Sequence, residues 1–103
     1  MNKKVDYLIV GQGLAGTALS YKLLEQGSTV HVLDVFKLNA ATRVAAGVFN
    51  PVTYRKLKMA EFADVLIPDV FKFYPEISKH LGIDIFHPTS FLKILTDIEE
   101  LNN

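Results

Sequence analysis

One glycine pattern constrains the fold of this chain more than any other feature. Residues 11–16 read Gly-Gln-Gly-Leu-Ala-Gly, which is the pattern G-x-G-x-x-G. The β-rich run 5–10 precedes it, and residues 14–26 carry apolar side chains at helical spacing up to the helix stop Gly27. Residues 28–34 then form a second β-rich run that ends on an acid. Strand, helix and strand in this order predict a βαβ unit, with parallel strands joined by a right-handed crossover.

Each glycine of the pattern has a physical role at its position. Gly11 allows the tight turn from strand to helix, Gly13 lets a pyrophosphate approach the backbone, and Gly16 lets helix and strand pack closely. The amides of Leu14 and Ala15 open the helix, where the helix dipole favours negative charge. The pattern therefore predicts an α/β fold with a Rossmann-like unit that binds a dinucleotide such as FAD or NAD.

The acid at the end of the second strand supports a dinucleotide site. Asp34 lies 18 residues after Gly16, where a carboxylate can accept hydrogen bonds from a ribose and would repel a 2′-phosphate. Its neighbour Val35 completes this end of the predicted site. A P-loop is excluded because Thr17 stands where that motif needs lysine. A purely structural glycine turn, a methyltransferase-type nucleotide site and, for Asp34, a solubilising surface charge remain alternatives.

Composition excludes several other classes of protein. Lys+Arg and Asp+Glu number 11 each, so the chain has no electrostatic footprint for nucleic acid or for an anionic membrane surface. The absence of cysteine excludes disulfides, thiolate catalysis and Cys-ligated metals, and it fits the cytoplasm. No apolar run is long enough to span a membrane. Asp6 and the glycines after it interrupt the one stretch that resembles a signal peptide.

The second half of the chain has a different texture. Residues 35–57 show no clear period, and residues 36–42 are expected to be loop. Residues 58–81 have a helical pattern that Pro68 kinks or splits. Residues 83–86 and 91–95 are candidate strands of a short hairpin. Further expected features are a helix stop at Gly82 and a capping box at Thr96–Glu99 that opens another helix.

These segments predict two parts. Residues 1–57 are expected to be the N-terminal part of an FAD-binding domain, and residues 58–103 the start of a substrate or cap region. The capping box predicts a helix that begins close to the last residue, and the βαβ unit lacks a third parallel strand. Both features suggest a truncated chain.

The histidines and aromatic residues have structural explanations. His31, His80 and His87 lack the spacing of metal ligands, so no metal site is predicted. Phe71, Phe73 and Tyr74 are expected to serve core or interdomain packing rather than to form a substrate cage.

The run after the second strand adds a resemblance to a known family. Residues 42–51, Thr-Arg-Val-Ala-Ala-Gly-Val-Phe-Asn-Pro, resemble the second flavin segment of the D-amino-acid oxidase/glycine oxidase family of FAD-dependent oxidoreductases. Residues 73–74, 81–83 and 91–95 are more loosely similar to later segments of that family. The resemblance implies a two-domain flavoenzyme that transfers hydride to flavin from a carbon bearing an amine. The 103-residue chain alone would then be inactive.

The resemblance also implies roles for four residues. Thr42 and Arg43 would contact the pyrophosphate region, and Gly47 and Val48 would lie near the isoalloxazine. The alternative for residues 45–49 is a buried structural loop. In the family the substrate contacts lie beyond these residues, so no catalytic residue is assigned. The rival functions are an NAD-linked dehydrogenase fragment and a non-enzymatic nucleotide-binding module.

Overall fold

The computed structural model describes residues 4–53 and 57–94, which mix helix and strand. The elements are β1 (Tyr7–Val10), α1 (Leu14–Glu25), β2 (Val30–Leu33), α2 (Ala41–Val44) and α3 (Ala63–Leu81). The chain divides into two compact units, Met1–Val48 and Phe49–Asn103. The predicted assignment of residues 1–57 and 58–103 to cofactor binding and a cap region concerns function and stays a prediction.

The first unit contains the predicted pair of parallel strands. β1 and β2 pair in parallel, with register from Tyr7 opposite Val30 to Val10 opposite Leu33. The N–H of Gly11 continues this ladder by donating to the carbonyl of Leu33 at 2.7 Å. The order strand, helix, parallel strand is therefore confirmed, with strands shorter than the two β-rich runs.

Helix α1 ends just before Gly27, as the sequence predicts. Gly27 has φ of +82°, a left-handed conformation that glycine adopts without steric cost. Its N–H donates to the carbonyl of Leu24 at 2.9 Å, and the N–H of Ser28 donates to the carbonyl of Leu23 at 3.0 Å. These two bonds are those of a Schellman motif, which satisfies carbonyls at the end of a helix.

The core of the first unit lies between β1 and α1. Ile9 is buried on β1, and Ser20 is buried on α1 with its hydroxyl donating to the carbonyl of Thr17 at 2.9 Å. The other strand residues are more exposed, up to 80% for Val10 at the carboxyl end of β1. The contact between helix and strand therefore rests on a few small or apolar residues.

In the second unit, α3 begins later than its sequence period predicts. The helical pattern starts at residue 58, but α3 starts at Ala63. Met59 instead forms an antiparallel bridge with Val52, and the N–H of Ala60 donates to the carbonyl of Pro51 at 2.7 Å. The residues before the helix thus pair with the preceding segment, which competes with helical hydrogen bonding.

Helix α3 continues through both of its prolines. Pro68 and Pro75 lie inside Ala63–Leu81, so of the two predicted effects of Pro68, a kink or a split, the split does not occur. Each proline removes one hydrogen bond, and the bonds on either side of it keep the helix continuous. The predicted stop is confirmed, because Gly82 follows α3 with φ of +66°.

The expected hairpin after α3 is absent from the described part of the chain. Residues 83–94 form no strand, and Ile85 and Phe86 instead contact α3. The N–H of Ile85 donates to the hydroxyl of Ser78 at 3.1 Å. The ring of Phe86 lies 5.3 Å from that of Phe71, edge to face, and 5.6 Å from that of Tyr74, stacked. The predicted helix opened by Thr96–Glu99 lies outside the described residues.

Neither a membrane-spanning helix nor a metal cluster occurs within residues 4–53 and 57–94. No helix there is long and apolar enough to cross a bilayer. No group of three acidic or histidine side chains in the same ranges could hold a metal ion. His87 lies 3.5 Å from the carboxylate of Asp84, and His31 is exposed on β2.

The start of the sheet is fastened by a reciprocal pair of residues. Thr29 donates to Oδ2 of Asp6 with its N–H at 2.8 Å and with its hydroxyl at 2.7 Å. The N–H of Asp6 in turn donates to the carbonyl of Thr29 at 3.0 Å. The hydroxyl, and then the N–H, lower the pKa of Asp6 below its ordinary value of 3.8, because both bonds favour the ionised carboxylate.

This lowered pKa predicts an acid-sensitive contribution to stability. Ionised Asp6 stabilises the fold above pH 3.8, and the contribution is lost as the pH falls through the lowered pKa. Asp6→Asn keeps an acceptor oxygen for Thr29 but does not titrate. Below pH 3.8, we expect the free energy of unfolding to fall less steeply for Asp6→Asn than for the unchanged chain.

An NMR titration of the Asp6 carboxyl group checks the cause directly. Its midpoint should lie below 3.8. Asp69→Asn, which removes one carboxylate from α3, is the matched control and should leave the acid dependence closer to that of the unchanged chain. A midpoint for Asp6 at or above its ordinary value contradicts the assignment.

Candidate dinucleotide-binding site

The glycine turn connects β1 to α1 through two glycines that the geometry requires. Gly11 has φ of +98°, which side chains other than glycine rarely adopt. A Cβ atom on Gly16 would overlap the carbonyl oxygen of Gly11 and lie 3.5 Å from Cγ2 of Ile9. The predicted reasons for both residues, a tight turn and close packing of helix on strand, therefore agree with their geometry.

Gly13 serves a different purpose from its two neighbours in the pattern. Its φ is −72°, so its backbone conformation suits any residue. A Cβ atom there would lie 3.2 Å from Oγ1 of Thr42. The lack of a side chain at Gly13 thus lets the hydroxyl of Thr42 come close to the N-terminus of α1.

Thr42 reaches the start of α1 from a distant part of the sequence. Its Oγ1 accepts a hydrogen bond from the N–H of Leu14 at 3.1 Å, across 28 residues of sequence. Leu14 and Ala15 are the first two residues of the helix, and Gly13 as N-cap makes no side-chain hydrogen bond. The structure therefore brings Gly13, Leu14 and Thr42 together, as predicted site residues that are far apart in sequence.

Asp34 lies directly after β2 and also contacts the glycine turn. Its Oδ2 accepts a hydrogen bond from the N–H of Gln12, and the residue is exposed. The contact with Gln12 was not a prediction of the sequence, because no spacing rule specifies which turn amide a strand-end carboxylate meets.

A cleft of about 470 Å³ opens at the carboxyl ends of the two strands. It is lined by Val10, Gly11, Leu33, Asp34, Val35, Lys37 and Ala40. In sheets of parallel strands, nucleotides bind at this end. The cleft thus brings Asp34 and Val35 together with the first glycine of the turn.

The segment after β2 contains a short helix where loop is predicted. α2 spans Ala41–Val44, and one turn of helix is too short to show a period in the sequence. The N–H of Ala40 donates to the carbonyl of Lys37 at 3.2 Å, and the N–H of Ala45 donates to that of Ala41 at 2.9 Å. These bonds set the backbone on both sides of Thr42.

Arg43 carries the only positive charge on α2, and its guanidinium group contacts an aromatic ring. Its guanidinium carbon lies 4.6 Å from the centre of the ring of Phe36, in a cation–π contact. Sequence reasoning did not identify Phe36, although an aromatic residue seven positions before an arginine of the predicted site is the available signal.

Gly47 and Val48 are the last two residues of the first unit. Gly47 has φ of +72°, and the side chain of Val48 is 77% exposed. All residues from 45 to 49 are exposed, so the alternative of a buried structural loop does not fit this segment. No hydrogen bond among the described residues joins Gly47 or Val48 to the glycine turn.

Comparison with known proteins adds one positive result. A family model described as FAD dependent oxidoreductase matches residues 6–103, which include every residue of the predicted site. No solved structure matches the chain.

The geometry of the turn predicts different outcomes for two alanine substitutions. In Gly16→Ala the new methyl group would overlap the backbone of Gly11, which cannot move as a side-chain end can. We expect a loss of ~2 kcal/mol or more in the free energy of unfolding, beyond any gain in helix propensity. In Gly13→Ala the methyl group meets Oγ1 of Thr42, which can rotate away.

Chemical denaturation of both variants measures this difference. Gly13→Ala is the matched control, since it adds the same methyl group to the same turn, and its loss should be clearly smaller. Equal stability of Gly16→Ala and the unchanged chain would show that α1 does not approach the Gly11 carbonyl so closely.

Proposed function

Because this chain belongs to the FAD dependent oxidoreductase family, we propose that its full-length protein oxidises the carbon–nitrogen bond of an amine or amino acid. The observation that supports FAD as the cofactor is the family match over residues 6–103, because the family is FAD-dependent. The proposed substrate class rests on the resemblance of residues 42–51 to the D-amino-acid oxidase/glycine oxidase family.

The residues at the glycine turn fit FAD. Gly13 has no side chain at the N-terminus of α1, where a phosphate group is favoured. Asp34 is exposed on the cleft at the end of β2, and a carboxylate there suits a ribose diol. Arg43 adds a positive charge on α2.

Each of these residues then has a role in binding. The amides of Leu14 and Ala15 would donate to the pyrophosphate, beside Thr42 and Arg43. Asp34 would accept from the ribose hydroxyls, with Val35 against the adenosine half. We further propose that Gly47 and Val48 present backbone amides to the flavin ring, which the exposure of this segment permits.

FAD, when bound, would take a hydride, that is a proton with two electrons, from the substrate carbon, and loss of a proton from the nitrogen would leave an imine. The protein's part is to bind and orient the two molecules. No side chain of residues 4–53 or 57–94 is assigned to the substrate. We therefore propose that the 103-residue chain alone is inactive. Its balanced charge and its lack of cysteine support a cytoplasmic protein whose partner is a small molecule rather than a nucleic acid.

The absorbance spectrum of the purified full-length protein tests the cofactor. We expect flavin bands, and bleaching of those bands when a suitable amine or amino acid is added without oxygen. Gly13→Val places branched carbon in the pyrophosphate space and should yield colourless protein. A full-length protein that stays colourless and does not take up added FAD contradicts the proposal.

Substitution of Asp34 tests the ribose contact. Asp34→Ala should weaken FAD binding by ~1–3 kcal/mol, since hydrogen bonds to a charged group are lost. Asp34→Asn keeps an acceptor oxygen for the N–H of Gln12 and should lose less. Titration calorimetry of the flavin-free protein with FAD measures both, and unchanged affinity in Asp34→Ala would leave Asp34 as a surface charge.

A further inference from the structure

The N-terminus of α1 is capped by a residue from outside the helix. Amides in the first turn of a helix lack acceptors within the helix, and side chains at the N-cap position commonly supply them. Gly13 cannot do so because it has no side chain. Oγ1 of Thr42 takes this place by accepting from the N–H of Leu14 at 3.1 Å.

The same amide is one that a phosphate group would use. The N–H of Leu14 has a single hydrogen, so the oxygen of Thr42 and a phosphate oxygen compete for it. The space between Gly13 and the side chain of Thr42 is narrow, since even a Cβ atom on Gly13 would lie 3.2 Å from Oγ1 of Thr42. Binding at the turn therefore requires that Thr42 release the amide.

A threonine hydroxyl can make this change without movement of the backbone. It accepts a hydrogen bond from an N–H in one rotamer and can donate to a phosphate oxygen in another. The backbone around Thr42 is held by the bond from Ala45 to Ala41 at 2.9 Å and by that from Val44 to Ala40 at 3.2 Å. Arg43, next to it, is held against the ring of Phe36. The exchange thus concerns one side-chain torsion.

We propose that Thr42 is a positioning residue that stands in for the phosphate. Its hydroxyl caps α1 while the site is empty and yields the Leu14 amide to a phosphate oxygen on binding. The proposal has two parts, a capping half and an exchange half. The capping half rests on the hydrogen bond from the N–H of Leu14 to Oγ1 of Thr42. The exchange half rests on the proposed function, because it needs a dinucleotide at the glycine turn.

Hydrogen exchange at the Leu14 amide tests the capping half without any ligand. In flavin-free protein labelled with ¹⁵N-leucine, Thr42→Val should speed this exchange about fivefold, in line with the loss of one neutral hydrogen bond. Thr42→Ser keeps the hydroxyl and should stay within about twofold of the unchanged protein. Thr17→Val is the matched control, because it removes a hydroxyl that donates to the carbonyl of Gln12 in the same turn.

Addition of FAD tests the exchange half. In Thr42→Val, FAD should restore slow exchange at Leu14, since a phosphate oxygen then accepts from the amide. The gain in protection on binding should be larger in Thr42→Val than in the unchanged protein. Circular dichroism checks that the variant is folded, and Thr42→Ala is a second variant without the hydroxyl.

The outcomes separate this inference from the proposed function. Equal exchange at Leu14 in the unchanged protein and in folded Thr42→Val or Thr42→Ala overturns the capping. Bound FAD that leaves Leu14 fast in Thr42→Val overturns the exchange while the proposed function survives. No FAD binding by any form overturns the proposed function and the exchange, and the ligand-free comparison still decides the capping.

Discussion

The approach of α1 to the backbone of the strand before it is the contact on which the first unit depends. At Gly16 the helix comes so close to the carbonyl of Gly11 that no Cβ atom fits between them. This approach brings the first amides of the helix to the carboxyl end of β1, and the parallel register places the end of β2 beside them. The cleft at that edge results from these two relations.

The amides of the glycine turn are polar groups that need acceptors, and the chain supplies two of its own. The N–H of Gln12 meets the carboxylate of Asp34, and the N–H of Leu14 meets the hydroxyl of Thr42. Both acceptors come after the second strand in sequence. The glycine turn is thus held in shape by polar side chains from outside it.

The second unit shows where local patterns mislead. The helical period from residue 58 is real, yet α3 starts at Ala63 because Met59 pairs with Val52. The β-rich residues near Phe86 indicate a strand, yet this ring packs on α3. In both places a local preference was overridden by a contact with another segment, and such a contact leaves no mark on the spacing of apolar residues.

The sequence by itself determined the βαβ order, the position of the turn and the two glycine helix stops. These features depend on residues near one another in sequence and on backbone conformations that glycine adopts without steric cost. The contacts of Asp34 and Thr42 with the glycine turn also agree with the sequence prediction, whereas no hydrogen bond among the described residues joins Gly47 or Val48 to it. Only the tertiary structure decided that Thr42 caps Leu14 and that Arg43 rests on Phe36. The first contact joins segments that are 28 residues apart in sequence. The second involves a helix of four residues, which is too short to show a period.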